Sequence, residues 1–102
     1  MPTSLSVDTT RSEDGAVIVI ASGEVDLSNV DSFRTTLRDA AENSSEPITV
    51  DLSGVEYVDS GGINVLFSLC DRIGKVIAHP LLMTTFAVSG LTELTTAEAA
   101  TY

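Results

Sequence analysis

The chain has 102 residues, 43% of them hydrophobic and 20% charged, and a formal net charge of −10. This size and apolar content predict a single domain over residues 1–102 and exclude a disordered chain. Phosphate backbones and anionic membrane surfaces are bound mainly through Lys and Arg, and the chain has fifteen acidic residues against five basic ones. We therefore expect no nucleic-acid partner and no membrane partner.

Apolar patterning and cysteine content bear on the compartment. The longest apolar run, residues 16–21, is far shorter than the roughly 20 residues of a membrane helix. The first residues show no basic region followed by an apolar segment, which argues against a signal peptide. Cys70 is the only cysteine, so it forms no internal disulfide and fits a reducing compartment. These features predict a cytoplasmic protein.

The chain begins with the pattern of a β-hairpin. Apolar and polar residues alternate over 5–9, as in a strand with one buried face. The polar segment 11–15 ends in glycine and suits a hairpin turn. The apolar run 16–21 predicts a strand that is buried on both faces and closed by Gly23.

A helix is expected next, over about residues 29–42. Ser28 and Asp31 have the spacing of a capping box, with Asp in place of the usual Glu. The apolar stripe that defines this helix consists of Val30, Phe33, Leu37 and Ala41. After the helix, another strand is expected at 48–52, ending near Gly54.

Two further helices and a short strand are expected in the second half. The second helix follows segment 54–62, a strand covers 75–78, and the third helix begins at Pro80 and ends at Gly90. The tail after Leu94 is weakly patterned, so we expect no edge strand there. The residues expected to face the core are Ile63, Leu66, Phe67, Cys70 and Ile73 in the second helix, and Leu82, Met83 and Phe86 in the third.

This order, β-β-α-β-α-β-α, predicts an α/β fold with a small mixed sheet of about four strands and helices packed on it. Right-handed crossovers make the later strands parallel. The loops at 24–29 and 55–62 then emerge at the same edge of the sheet. Because open α/β sheets place their sites at the carboxyl ends of the strands, this edge is the predicted site.

The segment from Asp59 to Gly62 is the sharpest local motif at that edge. Asp59 or Ser60 could cap the second helix through a side-chain oxygen, and the two glycines would allow a tight turn. A catalytic function is not expected, because the sequence shows no nucleophile–base pair. The one histidine, His79, is expected in a loop or at a helix cap.

Four acidic residues are also expected at this edge: Glu24, Asp26, Glu56 and Asp59. Such carboxylates can hold Mg²⁺ or form a phosphate-accepting site like that of response-regulator receivers. Receivers, however, pair adjacent acidic residues after the first strand and need a late lysine, whereas the only lysine here is Lys75. We expect neither a metal nor a cofactor.

Three segments, in this order, resemble the STAS domain of bacterial anti-sigma factor antagonists. Residues 23–28, Gly-Glu-Val-Asp-Leu-Ser, resemble the Gly-Glu-x-Asp loop that leads into its first helix. Residues 50–63 resemble its Asp-Leu-Ser … Asp-Ser-Ser/Ala-Gly-Leu signature, with Gly61 in place of the second Ser or Ala. Residues 89–91, Ser-Gly-Leu, resemble the end of its third helix. The resemblance covers about residues 5–94.

The resemblance implies a phosphorylation-dependent switch. Such an antagonist, when unphosphorylated, binds an anti-sigma factor that is also a serine kinase and thereby frees a sigma factor. Phosphorylation of the serine after the signature aspartate, Ser60 here, releases it, and a PP2C-type phosphatase resets it. The partner-binding positions carried over are Glu24, Asp26, Ser28, Asp59, Ser60, Gly61 and Gly62. The alternative is a STAS module that is not phosphorylated and binds a nucleotide or another small ligand, or acts as a scaffold.

Overall fold

The computed structural model describes residues 4–90 and 96–100, and within them five strands and three helices form. A short 3-10 turn, Cys70–Arg72, links the second helix to the fourth strand. In chain order the elements are β1 (Leu5–Arg11), β2 (Val17–Val25), α1 (Val30–Glu42), β3 (Ile48–Val58), α2 (Ser60–Ser68), β4 (Ile73–Ala78), α3 (Pro80–Ser89) and β5 (Thr96–Ala99).

The strands form one mixed sheet in the order β1-β2-β3-β4-β5. β1 pairs with β2 in antiparallel fashion, and all later neighbours are parallel. Every parallel crossover advances one strand in the same direction. Right-handed crossovers of this kind place all their helices on one face of the sheet. The predicted α/β class, mixed sheet and parallel later strands are confirmed.

The core lies between that face and the helices. Val19, Val50 and Val76 are register neighbours on β2, β3 and β4, and all three are fully buried. Phe33 of α1 and Phe86 of α3 are likewise fully buried. The apolar stripe predicted for α1 is buried throughout, as are Leu82 and Phe86 of α3, while Met83 packs against the core.

The other face of the sheet is uncovered, so the prediction that β2 is buried on both faces is wrong. Ile18 is half-buried and Ile20 is 42% exposed. Ile20 lies in register with Asp51 and Ile77 on this open face. A continuous apolar run shows that a strand is central, but the direction of successive crossovers decides whether both its faces are covered.

The tail contains an edge strand that was not expected. β5 pairs in parallel with β4, from Lys75 opposite Thr96 to Ala78 opposite Ala99. The Ala100 N–H donates to the Ala78 carbonyl at 2.7 Å. Because this strand is held mainly by backbone pairing with β4, its Thr-Ala-Glu-Ala sequence carries little apolar alternation by which to recognise it.

Two strands are longer than predicted. β2 continues past Gly23 to Val25, and β3 continues past Gly54 to Val58. The register between them shifts twice along this stretch, and Gly23 adopts a φ of +110°. The glycines therefore mark irregularities within paired strands and do not end them.

The second helix is shorter than predicted. Cys70 lies in the 3-10 turn and is half-buried, and Ile73 begins β4, so neither belongs to the α2 core face. The turn is anchored by Arg72, whose guanidinium donates to the Ala41 carbonyl near the end of α1. The third helix begins at Pro80 and ends at Gly90 in the left-handed conformation, as predicted.

Candidate functional site

The two predicted site loops lie side by side at the carboxyl edge of the sheet. The backbone N–H of Asp59 donates to the Val25 carbonyl at 3.0 Å, which joins the end of β2 to the start of α2. Since β2 and β3 extend further than expected, the connections shrink to residues 26–29 and to Asp59. Glu24 and Glu56 therefore lie within strands, where both are exposed.

The first connection is locked by its own side chains. The Asp26 carboxylate accepts from the Ser28 N–H at 2.9 Å and from the Ser28 hydroxyl at 2.5 Å. Asn29 accepts from the Asp26 N–H at 2.9 Å through its side-chain oxygen and donates to the Glu24 carbonyl at 2.9 Å. These bonds hold the loop in one shape before any partner arrives.

The predicted capping box of α1 is wrong. The residue before the helix is Asn29, and its side chain makes no capping hydrogen bond to the helix. The Ser28 hydroxyl turns toward Asp26 instead. Ser and Asn side chains bond equally well to a preceding loop or to a following helix turn, so spacing alone does not decide between them.

Asp59 caps α2, and Ser60 does not. The Asp59 carboxylate accepts from the Gly62 N–H at 3.0 Å. Ser60 is the first residue of α2, its side chain is exposed, and its hydroxyl has no hydrogen-bond partner among the described residues. Of the two capping alternatives left open by the sequence, the structure thus selects the one that leaves the serine hydroxyl accessible.

The two glycines after Ser60 differ in the space around them. A Cβ on Gly62 would lie 2.5 Å from Val58 Cγ1 and 2.9 Å from Val25 Cγ1. A Cβ on Gly61 would meet nothing closer than the Asp59 carboxylate, at 3.2 Å. Gly62 therefore permits the close approach of α2 to the strand ends, whereas a Cβ on Gly61 would be tight only against the Asp59 carboxylate.

The acidic residues of this edge are not arranged as a metal site. The Asp26 carboxylate accepts from the Ser28 N–H of its own loop, and the Asp59 carboxylate accepts from the Gly62 N–H of α2. Within residues 4–90 and 96–100, no three His, Cys, Asp or Glu side chains are grouped so as to hold a metal ion. His79 caps α3, since its Nδ1 accepts from the Leu81 N–H at 3.1 Å, and the prediction of a cap is confirmed.

Exposed apolar side chains occur at the same edge, and the sequence patterns did not single them out. Leu27, between β2 and α1, is 84% exposed, and Leu81, in the first turn of α3, is 69% exposed. Tyr57, next to the end of β3, is 50% exposed. They add exposed apolar area near the strand ends.

A groove of about 540 Å³ runs from Ser60 between α2 and α3. No lining residue carries a formal charge. The lining residues are Val58, Ser60, Ile63, Asn64 and Phe67 from the end of β3 and α2, and Thr84, Thr85, Val88 and Ser89 from α3.

A mixed sheet with three helices on one face is not specific to one family, but the sequence profile described as Mlab, STAS domain, matches residues 9–96. The chain belongs to the STAS domain family. The resemblance inferred from the three motifs is confirmed at this level. Within the described residues, no helix has the length and hydropathy of a membrane span.

The chain is also similar to a named relative. The chain is 25% identical over 76 residues to the anti-sigma-F factor antagonist RsfB of Mycobacterium tuberculosis. That match covers 74% of this chain and 62% of the relative, so the chain spans less than two thirds of the relative's length.

Two solved structures have the same fold. The crystal structure of an anti-sigma factor antagonist from Mycobacterium paratuberculosis superposes with a TM-score of 0.84 at 23% identity, covering 93% of this chain and 86% of that one. The anti-sigma factor antagonist SpoIIAA in its unphosphorylated form gives 0.72 at 19% identity, covering 94% and 89%. At these identities the likeness establishes the fold.

Proposed function

We propose that this chain is an anti-sigma factor antagonist whose activity is set by phosphorylation of Ser60. Unmodified, it binds an anti-sigma factor that has serine kinase activity and so frees a sigma factor. Phosphorylation ends the binding, and a PP2C-type phosphatase restores it. The observation that carries the proposal is the exposed Ser60 hydroxyl at the first position of α2, which has no hydrogen-bond partner in residues 4–90 and 96–100.

The surroundings of Ser60 support a docking role. Asp59 and Gly62 fix the start of α2, and Asp26 fixes the neighbouring loop. Leu27 offers exposed apolar area beside them. A preformed surface loses little conformational entropy on binding, which favours affinity. The proposed partner-binding residues are Glu24, Asp26, Ser28, Asp59, Ser60, Gly61 and Gly62.

A phosphate on Ser60 would act on the partner more than on the fold. It adds about −1.5 to −2 charges at pH 7. The N-terminus of α2 favours that charge by about 0.3–1 kcal/mol, while the carboxylates of this edge oppose it. Across an interface fitted to a neutral serine, a bulky and charged phosphate that finds no matching partner costs several kcal/mol. Each 1.4 kcal/mol lowers affinity tenfold, so release is the expected result.

The proposal is regulatory and assigns no catalytic step to this chain. The one histidine caps α3 and the one lysine lies in β4 facing Glu98, at 3.8 Å. Neither is placed as a base for Ser60. In the proposed phosphorylation this chain is the substrate, and the partner kinase supplies the catalytic groups.

Calorimetry with purified proteins tests the proposal. Each anti-sigma kinase encoded in the source genome is titrated with wild type, Ser60→Ala and Ser60→Glu, with Ser68→Glu as a control at the far end of the same helix. Wild type, Ser60→Ala and Ser68→Glu should bind one kinase, and Ser60→Glu should bind at least about tenfold more weakly. With ATP, mass spectrometry should find phosphate on Ser60.

Two results would oppose the proposal. If Ser60→Glu binds as tightly as Ser68→Glu and ATP leaves Ser60 unmodified, Ser60 is no switch. If no kinase binds and the wild-type chain instead binds GTP or ATP tightly, the alternative of a nucleotide-binding STAS module is correct. A groove without Lys or Arg in its lining offers little to a nucleotide phosphate.

A further inference from the structure

The end of β3 that leads to Ser60 is held by strand pairing on one side. The pairing of β3 with β4 ends at Leu52, whereas its pairing with β2 continues to Val58, opposite Val25. The Asp59 N–H then donates to the Val25 carbonyl at 3.0 Å. The position of Ser60 therefore depends on the register between β2 and β3 beyond Leu52.

That register contains two β-bulges, at each of which β3 has one residue more than β2. At the first bulge, Ile20 lies opposite Asp51. Two positions further along β2, Ser22 lies opposite Gly54, so two residues of β3 face a single residue of β2. At the second bulge the extra residue is Glu56. The end of β3 is thus displaced along β2 relative to an unbroken pairing.

The bulges change the spacing of the buried residues in β3. A regular strand turns every second residue to the same face. Gly54 and Glu56, which unbroken alternation after Leu52 would bury, are exposed, and Val55 is fully buried instead. The first bulge therefore brings a valine into the core in place of a glycine. The buried residues of β3 are Ile48, Val50, Leu52, Val55 and Val58.

Asp51 and Gly54 stabilise the first bulge. The Asp51 carboxylate accepts from the N–H of Ser53, a residue inside the bulge, at 2.9 Å. Because a bulge interrupts the ladder of backbone hydrogen bonds, a side-chain acceptor at this point satisfies a backbone donor. A Cβ on Gly54 would lie 2.9 Å from the Ser22 Cβ, so the glycine allows the two strands to approach closely.

We propose that Asp51 is a positioning residue for Ser60. Its bond to Ser53 fixes the first bulge and hence the register that brings Asp59 to the end of β2. Asp51 acts through the backbone of β3 and through the buried Val58 that ends it, not on the serine hydroxyl itself. The consequence for phosphorylation rests on the proposed function, whereas the effect on the register does not.

Hydrogen exchange followed by NMR tests the effect on the register. Asp51→Ala should make the Ser53 and Asp59 amides exchange at least about tenfold faster, while the Val50 amide, before the bulge, changes by less than about twofold. Asp51→Asn keeps a side-chain oxygen that can accept from Ser53, so it should restore slow exchange at Asp59. Asp8→Ala removes a carboxylate from the same face of the sheet and should leave these amides unchanged.

The close approach at Gly54 provides a second test. Gly54→Ala would place a Cβ against Ser22, so it should also speed exchange at Asp59. Adding Ser22→Gly removes the atom that the new Cβ meets, and the double variant should return toward the wild-type rate. No recovery in the double variant would mean that Gly54 does not act through this contact, which opposes the inference.

Phosphorylation of Ser60 links the register to the site. With ATP and the kinase that binds wild type, Asp51→Ala should be phosphorylated at least about fivefold more slowly, because the serine is displaced, and Asp51→Asn should react like wild type. Equal rates for Asp51→Ala and wild type would overturn the positioning role and leave the proposed switch standing.

The exchange data separate the remaining outcomes. If Asp51→Ala speeds exchange at Ser53 alone, Asp51 acts locally and the inference is wrong. If Val50 is accelerated as much as Asp59, the whole domain is destabilised and Asp51 does not fix the register, which also overturns it. If no kinase phosphorylates wild type, the proposed function fails, and the exchange rates decide whether Asp51 fixes the end of β3.

Discussion

The turn at residues 12–16 and the start of α2 each contain an aspartate and a serine, but the two serine hydroxyls differ in their hydrogen bonding. In the β1–β2 turn, Asp14 accepts from the Ala16 N–H at 3.1 Å and from the Ser12 hydroxyl. At α2, Asp59 accepts from the Gly62 N–H, and the adjacent Ser60 hydroxyl remains unbonded among the described residues. Aspartate stabilises both turns, but only at α2 is the serine left available to another protein.

Position relative to the aspartate explains the difference. Ser12 and Ser28 each lie two residues from their aspartates, within reach of the carboxylate. Ser60 follows Asp59 directly and enters the helix, where its side chain projects outward. A serine at the first helical position after an aspartate cap therefore has a fixed backbone and an exposed hydroxyl.

The largest effect expected at this turn comes from Gly62→Ala. The new methyl would overlap Val58 and Val25, and overpacking of this kind lowers the free energy of unfolding by about 1–3 kcal/mol. Gly61→Ala is the comparison, because its Cβ would be tight against only one atom, an Asp59 carboxylate oxygen at 3.2 Å, and alanine favours a helix over glycine by roughly 0.5–1 kcal/mol. Urea denaturation measures both. Equal losses would mean that the close approach at Gly62 does not matter.

The second prediction concerns which side chain caps α2. Asp59→Ala should lower the free energy of unfolding by about 1 kcal/mol, as loss of an N-cap does. Ser60→Ala should change it by less than about 0.5 kcal/mol, since the hydroxyl bonds to none of the residues that the structure describes. Thermal and urea unfolding of the two variants measure the change in the free energy of unfolding. A larger loss for Ser60→Ala would reverse the assignment and weaken the case for an accessible hydroxyl.

A smaller effect is expected at the neighbouring loop. Asn29→Ala removes two hydrogen bonds to the backbone of Glu24 and Asp26, and partly exposed bonds contribute about 0.5–1 kcal/mol. The Asp26 amide should then exchange with solvent faster, as measured by hydrogen exchange. Thr35→Ala, at an exposed position of α1, is the control. An unchanged exchange rate at Asp26 would show that Asn29 does not lock the loop.

The smallest expected effect is on the pKa of Asp14, in the turn between β1 and β2. The Ser12 hydroxyl, and then the Ala16 N–H, hold the pKa of Asp14 below its ordinary value of 3.8. Because the pKa is lower in the folded state, the stabilisation is present above the unfolded-state pKa and is lost as the pH falls through the folded-state value. Ser12→Ala should raise the pKa of Asp14 in an NMR titration. No change would mean that the hydroxyl does not bond the carboxylate.

Local features of the chain were predictable where neighbouring residues decide them. The pattern of Phe33 and Leu37 indicates α1, Pro80 begins α3, and Gly90 ends it, because periodicity and caps involve residues within a few turns. The crossover order then brings residues 24–29 and 55–62 to one edge. The three motifs of the family pointed to Ser60 as the proposed phosphorylation site.

Other features depend on parts of the chain that lie far apart in sequence. β5 exists because the backbone of β4 is available for pairing, and the groove exists because α2 and α3 are supported by different neighbours. Ile20 remains exposed because all crossovers advance in one direction.

The amino-acid sequence by itself determined the α/β order, the helix ends at Pro80 and Gly90, and the edge that carries Ser60, since these follow from local periodicity and chain direction. Only the tertiary structure decided that Asp59 caps α2, that Ser60 is exposed, and that an uncharged groove begins beside it. Those features depend on hydrogen-bond geometry and on packing between elements, which no local pattern encodes.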